Sequence, residues 1–263
     1  MAGQVSARTV KMFADGVVEA GTAAMLSPYD DAPHSCGLPV WAPAELAAAA
    51  VAFDADGFQL HVHAIGDAGV RAALDAVERV AAVNGPRDRR PVIAHTQVVD
   101  PADLPRFADL GVVANLEPLW AQLDPLQVEL TAPRLGAERT GWQYPMASLL
   151  ASGAVLSMGS DWPVSSYRPL DGLAVAVTRQ TPDGVPAEGW LPHQRLPVGS
   201  ALSAYTQGVA YQAFEEDRWG SVTVGRRADL VWLGSDPTVT DPAGWPQIPV
   251  HGTWLGGERT WGR

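Results

Sequence analysis

Lysine is almost absent from this chain. Of its 18 cationic side chains, Lys11 is the one lysine and the rest are arginines. Arginine serves as well as lysine for a surface charge. It cannot serve where an amine must lose its proton and react, because the guanidinium stays protonated. Two readings of Lys11 follow: chance survival under a bias towards arginine, or retention for chemistry. Cysteine is as scarce. Cys36 stands alone, which excludes an internal disulfide and points to a reducing compartment, the cytoplasm. Basic residues are outnumbered by 29 acidic ones, for a net charge of −11. That balance argues against nucleic acid and anionic membranes as partners. No apolar run reaches the ~18 residues of a membrane-spanning helix. The alanine-rich stretch at 45–53 is too short and too far into the chain for a signal peptide.

What is present suits a buried α/β core. Apolar residues make up 47% of 263, and short apolar runs alternate with helical patterns. Strands are expected at 9–13, 58–63, 91–94, 112–116 and 154–158. Helices are expected at 44–53, 68–83, 101–110, 146–151 and 198–214. Pro43 suits a first helical turn, Asn84-Gly85 a helix stop, and Asp100 an N-cap. Nearly continuous apolar strands indicate a parallel sheet covered on both faces. From Gly220 the pattern changes to a turn at 222–225 and strands at 229–233 and 249–255, a small β unit. Ten tryptophans carry no role by number alone.

Four residues occupy similar positions relative to their strands. Lys11 lies in the first, His63 ends the second, His95 ends the third, and Asp161 follows the fifth. In a parallel barrel the C-terminal strand ends converge on one mouth. Two imidazoles, a carboxylate and a chemically modified lysine make a nitrogen and oxygen set suited to zinc or a similar divalent ion. Singly, each has a plainer reading: a hydrogen-bonded histidine, or an aspartate capping a turn. Their recurrence at successive strand ends favours a site.

Five motifs carry a resemblance: Val-Lys-Met-Phe-Ala-Asp-Gly from Val10, His-Ala-Ile-Gly-Asp from His63, Ala-His-Thr-Gln-Val-Val-Asp-Pro from Ala94, Gly-Ser-Asp-Trp-Pro-Val from Gly159, and Gly-Ser-Val-Thr-Val-Gly-Arg-Arg-Ala-Asp-Leu-Val from Gly220. In this order they resemble the metal-dependent amidohydrolase superfamily, in the amidohydrolase 3 branch that contains N-substituted formamide deformylases. The resemblance implies a (β/α)₈ barrel with a small β-sandwich. It implies Lys11 as the strand-four lysine, carbamylated to bridge two metals. His63 and His95 would be the strand-five and strand-six ligands, and Asp161 the strand-eight carboxylate, at once metal ligand and catalytic acid–base.

The family begins with a sandwich segment and a first barrel strand bearing His-x-His, and no such segment precedes Lys11. His61-Val62-His63 has the spacing, but the Ala-Ile-Gly-Asp after it matches strand five. The expectation is therefore the C-terminal half of an amidohydrolase: 1–217 as barrel strands four to eight, and 218–263 as part of the sandwich, with His61 a packing neighbour. Glu117 stands where the family leads one to expect glutamine. It either alters substrate contacts or is a satisfied polar group. Trp120 and Trp162 follow strand ends and either line a pocket or pack in the core. Arg179 is read as a helix C-cap, and His34, His193 and His251 as residues away from the mouth. The resemblance implies hydrolysis of amide-type C–N bonds in a small-molecule substrate, with one or two zinc-like ions. An N-terminal half would complete the site, and the open barrel edges would otherwise lead to self-association. The alternative is an inactive remnant that binds at most one metal.

Overall fold

The computed structural model of the chain describes residues 7–262. Two compact units divide it: one runs to Asn115 and adds Pro125–Val155, the other comprises Leu116–Asp124 and Leu156 onward. In the first unit, β1 (Thr9–Phe13), β2 (Gln59–Ala64), β3 (Val92–His95) and β4 (Val113–Leu116) pair in parallel. With β5 (Val155–Met158) they form a five-stranded sheet in sequence order. Each strand lies within a residue or two of its apolar run. Successive parallel neighbours are what β–α alternation produces.

The crossovers are α1 (Pro43–Ala55), α2 (Asp67–Asn84) and a 3₁₀ turn (Pro101–Asp103) leading into α3 (Leu104–Asp109). Pro43 opens α1, and Gly85 ends α2 in the left-handed region at φ 74°. Asp100 accepts the Ala102 N–H, as a cap should. Helix α2 buries Val70, Ala73, Leu74, Val77 and Val80, an i, i+3, i+4 stripe. Each such Val or Leu contributes about 1.5–3 kcal/mol relative to exposure. Met12, Leu60 and Val62 are buried, whereas Thr9, Lys11 and Phe13 are exposed. One side of β1 is thus packed and the other open. Above the strand ends, Val18, Ala23, Met25, Tyr29, Ile65, Val98 and Leu135 form a second apolar cluster, which anchors the long loop after β1.

One segment of the first unit departs from expectation. The polar stretch after β4 holds a helix, α4 (Ala132–Thr140), interrupted at Gly136, whose φ of 71° no helix interior adopts. Pro133 and Gly136 disguise it as loop. α5 (Met146–Ala151) lies as expected.

The second unit contains α6 (Pro169–Thr178), α7 (Val198–Tyr205), α8 (Gln207–Gln212) and an antiparallel sheet of β6 (Leu230–Leu233), β7 (Val250–Leu255) and β8 (Glu258–Gly262). The single helix expected at 198–214 is broken at Thr206, with φ −124° and ψ −80°. The Thr206 hydroxyl donates to the Leu202 carbonyl, a back-bond that bends helices. Gly208 meets the Leu156 carbonyl so closely that a Cβ would lie 2.0 Å from it. Arg179 does end α6, in the left-handed region. It is also wholly buried, stacked 5.0 Å from the Trp190 ring centre, and donates from Nε to the Trp190 carbonyl.

Asp54, at the end of α1, tests the packing of the first unit. It accepts from Asn84, Arg87 and Arg89. Burial raises its pKa, but the hydrogen bonds from Arg89 and Asn84 and the two arginine charges outweigh burial, leaving it below the usual carboxylate value. A depressed folded pKa stabilises above the unfolded value, about 3.9, and that stability is lost as pH falls through the folded one. Asp54→Ala is expected to cost about 3 kcal/mol at pH 7, read by urea denaturation. The gap between parent and variant should close as the pH is lowered below about 4.

Candidate active site

Parallel pairing sets the first components. Lys11 is in register with His61, and Phe13 with His63. Cross-strand partners share a face, and residues two apart stay on it. Lys11, Phe13, His61 and His63 therefore occupy the side of the sheet that helix-facing Met12 and Val62 do not. The Lys11 amine lies 5.6 Å from the Phe13 ring centre, and that ring lies 4.9 Å from the His63 ring.

His95 joins them by a different route. Its partner on β2 is Ala64, not His63, so alternation alone would turn it to the helix side. Its φ is +74°, and that of Thr96 is +48°. This left-handed backbone breaks the alternation and brings the His95 ring to 4.5 Å from His63, edge to face. The turn is held by Thr96 N–H to the Ala64 carbonyl and by the Thr96 hydroxyl to the Ile93 carbonyl. Non-glycine residues held there cost about 1–3 kcal/mol each and cluster at functional sites.

His63 Nε2 lies 2.9 Å from the Gly16 carbonyl. A carbonyl oxygen only accepts, so Nε2 carries a proton, and in the neutral ring the lone pair is then on Nδ1. Beside it is Asp15, a residue sequence reasoning passed over. Asp15 accepts N–H groups of Ala24 (2.8 Å), Gly66 (2.8 Å) and Ile65 (3.0 Å), and Oδ1 lies 3.7 Å from His63 Nε2. Burial pushes its pKa up to about 6, against the pull of the three N–H donors and of His95. The signal was available: an Asp-Gly directly after a strand bearing the sole lysine. His61 is the cross-strand partner of Lys11. Burial, and then the charges of Lys11 and His95, lower its pKa to about 4, so it is neutral at neutral pH.

The remaining candidates belong to the second unit. Asp161 follows β5 with φ +49°, and its carbonyl accepts the Val164 N–H. Trp162 beside it is 67% exposed, so it is no core residue. Glu117 is buried at the end of β4. Burial, and then the charges of Glu117 and Asp171, raise the Tyr205 pKa. Trp120 is half-buried in the 3₁₀ turn Pro118–Trp120.

Among the described residues, no group of three or more His, Cys, Asp or Glu side chains is placed to hold a metal ion. The pair His63 and His95 nevertheless fits one. Two nitrogens on a tetrahedral zinc lie about 3.3 Å apart, a separation that rings centred 4.5 Å apart allow. The Gly16 carbonyl gives His63 the outer hydrogen bond typical of a ligating imidazole. A protonated Lys11 amine is no ligand. A carbamate on it would add the oxygens that the pair lacks. No helix among the described residues is long and apolar enough to cross a membrane.

Protein LONG AFTER FAR-RED 3 of Arabidopsis thaliana is 38% identical over 228 residues, 86% of this chain and 38% of its own length. An N-substituted formamide deformylase of Arthrobacter pascens is 28% identical over 205 residues, 76% of this chain and 36% of its own. Among solved structures, an uncharacterized metal-dependent hydrolase from Pyrococcus horikoshii OT3 superposes with a TM-score of 0.76 at 29% identity, covering 89% of this chain and 45% of that one. The chain thus spans less than half the length of each of these three proteins. The profile of the amidohydrolase family matches residues 1–260. Motif order, sheet topology and this match over nearly the whole sequence have one conclusion: the chain belongs to the amidohydrolase family.

Proposed function

We propose that this chain carries part of a metal-dependent hydrolase that cleaves amide-type C–N bonds in small molecules. The observation that carries the reading is the pair of imidazoles at adjacent strand ends, His63 and His95, with ring centres 4.5 Å apart. The name of the Arthrobacter relative, a formamide deformylase, supports the bond class. Lys11 carbamate, His63 and His95 would hold one divalent ion, most simply zinc, as three protein ligands with an open position. Such an ion supplies a Lewis acid for a carbonyl oxygen and lowers the pKa of water. The Asp161 carboxylate takes the proton of the attacking water and returns it to the leaving nitrogen; it would also be a ligand to a second ion. Trp120, Trp162 and Glu117 would contact the substrate. Exposed Trp162 suits an apolar substituent, and buried Glu117 a polar one.

A second ion needs further ligands, and we place them on a separate segment carrying His-x-His, supplied by an N-terminal half. The open side of β1, where Lys11 and Phe13 are exposed, supports a partner there. On this reading, 1–217 is barrel and 218–263 contributes β6–β8 to a sandwich. The enzyme would work in the cytoplasm.

Reconstituted with zinc and bicarbonate, the purified chain should hold about one ion, measured by elemental analysis. His95→Ala and Lys11→Arg should each reduce this to near zero with little change in solubility. Arginine keeps the charge but cannot form the carbamate. Equal zinc in Lys11→Arg and parent would return Lys11 to the chance reading.

Co-expression with an N-terminal amidohydrolase half bearing His-x-His should yield a soluble complex that releases amine from N-substituted formamides. Hydrolysis by this chain alone would instead show that no such half is needed.

A further inference from the structure

We propose that Asp15 is a positioning residue: its buried carboxylate holds the Gly16 carbonyl on His63 and so presents Nδ1 of that imidazole to a metal, an inference that rests on the metal reading above. Three features support it. The carboxylate is fully buried, where an uncompensated charge is costly, and three backbone N–H groups from two loops compensate it. One donor comes from the loop after β1 (Ala24) and two from the turn into α2 (Ile65 and Gly66). Asp15 therefore ties the β1 loop, which carries Gly16, to the turn that follows His63.

The cradle is cut to the carboxylate. A Cβ on Gly69 would lie 2.5 Å from Asp15 Oδ2, and one on Gly66 would lie 2.0 Å from the Ala24 carbonyl oxygen. Loop closure alone does not call for a charge. Placed 3.7 Å from Nε2, the charge adds something that closure does not need. It favours the proton on that nitrogen, on the side where the Gly16 carbonyl already accepts it. The lone pair is then fixed on Nδ1. Outer partners of this kind set tautomer and orientation in ligating histidines.

The test uses the full chain with ¹⁵N-labelled imidazoles, metal-free at pH 8, with the His63 signals assigned by their loss in His63→Ala. Parent His63 should show the Nε2–H tautomer; an Nδ1–H tautomer in the parent overturns the proposal outright. In Asp15→Asn the ring should become a mixture of tautomers, and zinc affinity should fall about 10–100-fold, by chelator competition. Gly69→Ala crowds the carboxylate without removing it and should move both readouts the same way by less. It carries the test if Asp15→Asn does not fold, as judged by circular dichroism. Folded variants with parental His63 spectra and zinc affinity overturn the positioning role. Failure of the metal reading looks different: the parent takes up no zinc, and a tautomer change in Asp15→Asn alone then upholds the hold of Asp15 on His63.

Discussion

The parallel register of β1 on β2 governs what can meet at this end of the sheet. With Lys11 opposite His61 and Phe13 opposite His63, one face receives an amine, an aromatic ring and two imidazoles. The other face receives Met12, Leu60 and Val62, all buried. A slip of one residue would exchange the faces, pressing the amine and imidazoles against the helices and exposing the apolar set. Apolar burial on the helix side thus fixes the polar constellation on the other. The site is a by-product of the pattern that stabilises the sheet.

His95 is out of step with that pattern, and the structure accommodates it by strain rather than by register. Two consecutive residues in the left-handed region cost about 1–3 kcal/mol each. The segment that follows is strapped down in several places. Val98 N–H donates to the Ile65 carbonyl, Tyr144 N–H donates to the Gln97 carbonyl, and Val98 bridges Gln143. Gln97 donates to Gln143 beneath them. Val98 and Ile65 also belong to the apolar cluster under the long loop. Asp15 fastens that loop to the turn after β2, so strands and loops are locked to each other around the two imidazoles.

Most of the sheet was legible because buried parallel strands write themselves as apolar runs. Their helices carry punctuation such as Pro43, Asp100 and Asn84-Gly85. Where the reading failed, local chemistry had overruled the pattern. Thr206 looks helical, and only its back-bond and the contact of Gly208 with Leu156 reveal the break. α4 hides behind Pro133 and Gly136. β8 was missed although Gly256-Gly257, both at positive φ, is a hairpin signal. Of the candidate site, the histidines were visible as residues at strand ends and the lysine as the one lysine of the chain, within a strand. The turn of His95 was not, since nothing in Ala-His-Thr-Gln announces a positive φ. Asp15 was overlooked because an Asp-Gly after a strand reads first as a turn. Its role emerges only when three N–H groups from distant positions converge on it.

These relations also bear on why one lysine survives among arginines. In its protonated state Lys11 is a cation near His61, and it helps to hold that imidazole neutral. An arginine would impose the same charge permanently. On the proposed reading the amine reacts to a carbamate, and the sign of the group reverses. The repulsion on His61 disappears, and an anion faces the edge where His63 and His95 converge. Only a side chain that can give up its proton allows that reversal. A neutral His61 tolerates both states of Lys11, before and after modification, without a change of its own charge. The sole lysine and its cross-strand histidine are therefore best understood together, as a position whose charge must change and a neighbour whose charge need not.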